Sequence, residues 1–200
     1  MTKIKMCGMC RIEDIEYANK ILPEFVGYIF AEKSRRYISP EKAVKFTEIL
    51  DSRIIPVGVF VNADMNFISD IADRNIIEFI QLHGDEDDNY ISSLRNITSK
   101  PIIRAFKIRN REDIERAENS QADIVLLDSG EGSGHLFNHE LIKDISRPYI
   151  LAGGLNPENI GGIIRKLNPY AADVSSGIET DGIKDFNKMK AFADAGRKIL

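Results

Sequence analysis

Ala171-Ala172-Asp173-Val174-Ser175-Ser176-Gly177-Ile178-Glu179, with Gly182-Ile183-Lys184-Asp185 close behind, reads as a short buried strand running straight into a turn of small residues. Backbone N–H groups reach the oxygens of a phosphate only where side chains stay out of the way, and such a turn provides that. A second turn of this kind stands one unit upstream, Ile150-Leu151-Ala152-Gly153-Gly154-Leu155. Two adjacent strand-to-glycine turns at the end of an eight-unit chain predict an α/β fold, the (β/α)₈ TIM barrel. In that fold the loops after strands seven and eight build a phosphate site.

The eight units are read from short apolar runs that begin near Ile4, Val26, Ile55, Glu78, Ile102, Ile124, Tyr149 and Ala172. By subtraction, successive starts lie between 22 and 29 residues apart. That interval holds one strand, one helix and two short loops. Most runs are apolar almost throughout, such as Ile124-Val125-Leu126-Leu127, which indicates strands buried on both faces and hence a parallel sheet covered by helices. Between them, Ile12, Ile15, Ala18 and Ile21 form one helical stripe, and Ile91, Leu94 and Ile97 another after the acidic start Asp85-Glu86-Asp87-Asp88. Asn156-Pro157-Glu158 is expected to open the seventh helix, and Phe186, Met189, Phe192 and Ile199 to line the buried face of the last. No linker or low-complexity tract interrupts the pattern, so residues 1–200 are expected to form a single domain. An open doubly wound sheet shares the alternation and stays as the alternative fold.

Composition narrows the function classes. The net charge of −4 argues against a nucleic-acid partner, whose footprint would be basic. No apolar run approaches the roughly 18 residues that span a membrane, and Met1-Thr2-Lys3-Ile4-Lys5-Met6 has no signal-peptide pattern. Two cysteines exclude a disulfide scaffold. A cytoplasmic enzyme or binding protein is the expectation.

In either architecture the site lies at the C-terminal ends of the strands, where few polar residues stand. Cys7 follows strand one; as a thiolate it can act as base or nucleophile if nearby positive charge lowers its pKa. It also reads as a buried apolar cysteine, or with Cys10 as a redox pair. No second Cys-x-x-Cys or histidine pair completes a zinc site, so no metal is expected. Asp128 ends strand six before the glycine-rich loop Ser129-Gly130-Glu131-Gly132-Ser133-Gly134, a setting for a general acid beside a lid, or for a carboxylate that only caps its loop. Asn62 and His83 follow strands three and four; His83 is a candidate to donate a hydrogen bond to substrate or to titrate near neutrality, and reads equally as a histidine that only fixes its turn. Arg36, beside Arg35, offers a planar fork for a carboxylate, though Lys33-Ser34-Arg35-Arg36 also reads as a solvated charge run.

Taken in order, Lys5-Met6-Cys7-Gly8, Arg36-Tyr37-Ile38-Ser39-Pro40, Val57-Gly58-Val59-Phe60-Val61-Asn62, Gln81-Leu82-His83-Gly84-Asp85-Glu86, Leu126-Leu127-Asp128 and the two phosphate-type turns span nearly the whole chain. Together they resemble the phosphoribosylanthranilate isomerases of tryptophan biosynthesis. The resemblance implies an Amadori rearrangement of N-(5′-phosphoribosyl)anthranilate, an aminoaldose converted to an aminoketose, with no cofactor. It implies Cys7 as general base, Asp128 as general acid and Arg36 as holder of the anthranilate carboxylate. Gly153, Gly154, Ser175, Ser176 and Gly177 would hold the phosphate. The only partner implied is the small-molecule substrate, with the chain a monomer or homodimer.

The chain departs from the family pattern at Arg35, where proline is usual, and at Gly132-Ser133-Gly134 and Phe137-Asn138-His139, where Gly-Thr-Gly and Phe-Asp-Trp are usual. Other sugar-phosphate barrels, such as indole-glycerol-phosphate synthases and ribulose-phosphate epimerases, share the phosphate turns. They would not pair cysteine after strand one with aspartate after strand six. A bifunctional isomerase of histidine and tryptophan synthesis would be expected to carry a carboxylate at position 7. A thioredoxin-like redox module or a non-catalytic sugar-phosphate-binding protein remains the reading from a different class.

Overall fold

The computed structural model describes residues 1–128, 139–142 and 145–197. Eight parallel strands close into a barrel in sequence order: β1 (Lys3–Cys7), β2 (Phe25–Ile29), β3 (Ile55–Phe60), β4 (Phe79–Leu82), β5 (Ile102–Lys107), β6 (Ile124–Asp128), β7 (Tyr149–Ala152) and β8 (Ala171–Val174). Each begins within one residue of the position its apolar run predicts. Pairing of β1 with β8, Lys3 opposite Ala171 through Met6 opposite Val174, shuts the ring and rules out the open sheet.

Alternation along the strands divides the buried residues in two. Phe25, Val57, Ile103, Leu126, Ile150 and Ala171 fill the barrel interior. A larger cluster, including Ile4, Val26, Ile80, Val125 and Phe192, lies between the strands and an outer ring of helices. These are α1 (Ile12–Ile21), α2 (Pro40–Ile49), α3 (Met65–Asp73), α4 (Asp88–Leu94), α5 (Arg111–Glu118), α6 (His139–Ile142), α7 (Ile160–Leu167) and α8 (Phe186–Arg197). A short antiparallel hairpin, β9 (Glu179–Thr180) and β10 (Ile183–Lys184), stands apart from the barrel after β8.

The helical readings need four corrections. Ile12 is 52% exposed, because it is the first residue of α1 and lies on the loop side of the stripe that Ile15, Ala18 and Ile21 bury. Ile97 falls past the end of α4 and is likewise exposed. Of the acidic run Asp85-Glu86-Asp87-Asp88, Asp88 is the first residue of α4 and Asp87 is the cap, accepting from the Tyr90 N–H, whereas Glu86 is buried and accepts from Asn62 N and Gly84 N. Asn156 does cap a turn, accepting from the N–H groups of Glu158 and Asn159, but α7 proper begins at Ile160. The loop expected as a lid, 129–134, together with Phe137, Asn138 and Ile199, lies outside the described residues.

Candidate active site

A cavity of about 350 Å³ opens at the C-terminal end of the barrel. Cys7, His83, Asp128 and both phosphate-type turns line it, so most of the residues singled out in the sequence meet there. Apolar wall is supplied by Ile29, Val59 and Val61. β1 and β6 stand three places apart around the ring, which sets Cys7 and Asp128 on opposite sides of the opening.

Cys7 is 6% exposed and pairs in register with Gly27 of β2. A Cβ at position 27 would lie 2.6 Å from the Cys7 sulfur, so the thiol occupies the space that glycine leaves. Burial pushes the Cys7 thiol up; the Lys5 ammonium below it opposes the rise, Asp173 adds to it, and Lys184 opposes it again. The neighbouring positive charge that the sequence reading asks for is present in Lys5 and Lys184, but burial prevails over it. Lys5 is fully buried inside the barrel, its Nζ donating to Asp173 Oδ1 at 3.0 Å. Cys7 and Cys10 are both free thiols, burial raises both, and the Cys10 N–H is tied to Asp14 Oδ2. Burial thus works against the low-pKa thiol that a Cys-x-x-Cys redox pair uses.

On the far side, His83 Nε2 stands 3.7 Å from Asp128 Oδ2. Gln81 Nε2 lies 2.9 Å from His83 Nδ1, and a donating amide there makes Nδ1 the acceptor. The Nε2 side of the ring faces Asp128. Asn62, expected as a site candidate, serves the rim instead. Its backbone is left-handed at φ 49°, its side-chain carbonyl accepts from Asp85 N, and its N–H goes to Glu86 Oε1.

The phosphate-type turns touch one another. A Cβ at Gly177 would lie 1.9 Å from the carbonyl oxygen of Leu155, so only glycine lets the two loops meet. Gly154 differs: a Cβ there would meet nothing within 4 Å, and glycine is called for by φ of +63°. Ser175 Oγ donates to the Cys7 carbonyl at 3.1 Å, which anchors the β8 turn to the end of β1, while Ser176 opens a single 3₁₀ turn over Ser176–Ile178.

Arg36 stands at the rim rather than on the cavity wall. Its chain crosses Gly8, where an added Cβ would lie 2.4 Å from Arg36 Cδ. Its Nε and Nη2 fork onto Glu179 at 2.6 and 2.9 Å. Sequence reasoning passed over Gln81 on the cavity wall, and Lys5, Gly27, Lys184 and Glu179, which contact Asp173, Cys7, Ser175 and Arg36 in turn. The sequence holds signals for two of them: charged residues alternating into a buried strand at Lys5, and the adjacency of Glu179 to the phosphate turn. Among the described residues, no group of three or more His, Cys, Asp or Glu side chains gathers as a metal site. No helix among them is long and apolar enough to cross a membrane.

The family model described as N-(5′-phosphoribosyl)anthranilate (PRA) isomerase matches residues 4–195. An N-(5′-phosphoribosyl)anthranilate isomerase of Thermoanaerobacter sp. (strain X514) is 43% identical over 206 residues, covering all of both chains. The crystal structure of phosphoribosyl anthranilate isomerase from Thermotoga maritima superposes with a TM-score of 0.91 at 36% identity, over 98% of this chain and 99% of that one. A structure of such an isomerase in complex with reduced 1-(o-carboxyphenylamino)-1-deoxyribulose 5-phosphate gives 0.88 at 35%, with coverage of 98% and 99%. By sequence over its whole length and by fold, the chain belongs to the N-(5′-phosphoribosyl)anthranilate isomerase family.

Proposed function

We propose that this chain isomerises N-(5′-phosphoribosyl)anthranilate to 1-(2-carboxyphenylamino)-1-deoxyribulose 5-phosphate, as a step of tryptophan biosynthesis. The observation that carries the reading is the placement of Cys7 and Asp128 across one cavity whose wall also holds both phosphate-type turns. The substrate's phosphate sits on the turns at Gly153–Gly154 and Ser175–Gly177, which fixes the ribose between the thiol and the carboxyl group.

Asp128 gives its proton to the furanose oxygen as the C1′–O bond breaks, and the anilino nitrogen lone pair forms the C1′=N bond. Cys7, as thiolate, removes the proton from C2′; the released electron pair makes the C1′=C2′ bond and neutralises the nitrogen. The resulting enolamine regains a proton at C1′ as the C2′ hydroxyl becomes the ketone. Two proton transfers on opposite sides of the sugar need two groups in different surroundings. The buried Cys7 and the part-exposed Asp128 supply them. His83, with its Nε2 toward Asp128, orients the acid; Arg36 takes the anthranilate carboxylate. One copy of the chain carries every group named, so a monomer and a homodimer can both work. A substrate bearing a phosphate and a carboxylate does not cross membranes unaided, which makes the cytoplasm the place of reaction.

Mixing the purified protein with freshly made phosphoribosylanthranilate and following its loss by fluorescence tests the activity directly. No loss above the spontaneous rate would sink it. The phosphate assignment has its own test in Gly177→Ala. The added carbon would lie 1.9 Å from the Leu155 carbonyl oxygen and 3.2 Å from Asn156 Cα, both backbone atoms, so the two turns separate. Displacement of a positioning element by about 1 Å costs on the order of a hundredfold in rate, and kcat/KM is expected to fall by about that factor. Stabilisation by inorganic phosphate in thermal unfolding should vanish with it. Retained phosphate protection would place the phosphate elsewhere.

A further inference from the structure

We infer that Glu179 is a positioning residue that holds the guanidinium of Arg36 so that its second edge faces the substrate carboxylate. The inference rests on the reading of Arg36 given above and extends it to the β9–β10 hairpin.

Glu179 pairs with Lys184 across that hairpin, which is no part of the barrel wall. Its carboxylate is nearly buried, with 4% of the side chain exposed, and it meets three cations. Arg36 donates through Nε and Nη2, Arg35 through Nη2 at 2.7 Å, and Lys184 through Nζ at 2.8 Å. Burial by itself would push the Glu179 carboxyl up, but the hydrogen bonds from Arg36 and Lys184 prevail and hold it below its ordinary value. It is therefore ionised at neutral pH, and one negative charge stands against three positive ones. A cluster with that excess at the mouth of a cavity is matched electrostatically by an incoming anion.

The geometry says which anion and where. A guanidinium presents two edges able to grip a carboxylate, Nε with one terminal nitrogen, and the two terminal nitrogens together. Glu179 occupies the first, which leaves Nη1 and the second hydrogen of Nη2 as a fork of the same kind. The chain of Arg36 runs across Gly8, the residue after Cys7, so this fork lies at the catalytic end of the barrel. Without Glu179 the guanidinium would be free to rotate, and the fork would have to be ordered anew each time substrate bound. Lys184 extends the arrangement: the ammonium that contacts Glu179 also donates to the Ser175 carbonyl at 2.8 Å, in the phosphate turn. One hairpin thus braces both anion-binding features of the site.

If Glu179 merely stitched the hairpin to the barrel, its loss would weaken every ligand alike. If it aims Arg36, the loss falls on ligands that carry the aromatic carboxylate. Two probes separate these: reduced 1-(o-carboxyphenylamino)-1-deoxyribulose 5-phosphate, and the same compound made with aniline, which lacks the carboxylate. Glu179→Gln keeps the shape and removes the charge. It should weaken the carboxylated probe by about tenfold to a hundredfold, the range for a lost charge-assisted hydrogen-bond pair, and the other probe by less than about twofold. With substrate, KM should rise by a larger factor than kcat falls. Glu179→Asp, which keeps the charge but draws it back by one methylene, serves if the glutamine variant does not fold; the same selective loss is expected. Equal weakening of both probes, or of neither, overturns the positioning role. Arg36→Ala is the control for the reading beneath it. If that variant leaves the preference between the probes as it was, the assignment of Arg36 fails, and that failure is distinct from one in Glu179.

Discussion

Cys7→Ala and Asp128→Asn are each expected to lower kcat by about 10²- to 10⁴-fold, the contribution of a positioned general base or acid. The fold should survive both, since alanine at position 7 removes one sulfur from above Gly27 and asparagine keeps the shape of the Asp128 side chain. Binding of the product analogue should also survive, because the phosphate turns and Arg36 are untouched. The pH dependence carries a further mark of Cys7. The base must be ionised, and burial raises the thiol above its ordinary value of 9.0, opposed by Lys5 but not overcome. Fewer thiolates are then present at neutral pH. In Asp128→Asn, where no acid has to keep its proton, the residual kcat/KM should climb as pH rises towards that raised value. A variant keeping more than about a tenth of normal kcat would remove its residue from the proton transfers. In Asp128→Asn, a rate that declines as pH rises from 7 would contradict the thiolate.

The barrel was legible because its strands are buried on both faces. A run such as Ile124-Val125-Leu126-Leu127 has no solvent side to interrupt it, and the regular spacing then fixes the number of units. Residues at strand ends were legible for a related reason: a cysteine, histidine or aspartate that closes an apolar strand has few other places to be. The helix edges were less so. Ile12 and Ile97 continue an apolar pattern that the helices themselves do not bury, since one precedes the packed stripe and the other follows the last turn. What could not be read was pairing between distant charges. Lys5 meets Asp173, and Arg36 meets Glu179, over separations of 168 and 143 residues that only closure of the ring brings together. On the page Arg35 and Arg36 look equivalent; in the structure Arg35 is 61% exposed at its side chain and Arg36 is 16%. Glycines divide in the same way. Gly154 was expected to keep space clear, but its space is open and its backbone angle makes the demand, whereas Gly177 and Gly27 are held to glycine by contact.

Lys5→Met is expected to destabilise the fold by about 3–5 kcal/mol, the range for removing one partner of a buried ion pair. For a chain of this size that corresponds to a fall in Tm of roughly 6–20 °C. The reason lies in what is left behind. Lys5 is fully buried and Asp173 is 8% exposed, so the methionine would leave a carboxylate inside the barrel with its ammonium gone. Burial alone would lower the Lys5 pKa, but Asp173 and Cys7 outweigh it and raise the value above 10.5. A raised value on a base means that the folded state holds the proton more tightly than the unfolded chain. The stabilisation is therefore complete below pH 10.5 and is lost as pH climbs through the higher folded value. Wild type should accordingly lose its advantage over Lys5→Met only in strongly alkaline solution. Adding Asp173→Asn to the variant removes the stranded charge and should recover part of the loss. Urea unfolding of the three proteins at neutral pH reads all of this. If Lys5→Met costs less than about 1 kcal/mol, the pair behaves as a solvated surface bridge, and water from the cavity must be reaching it.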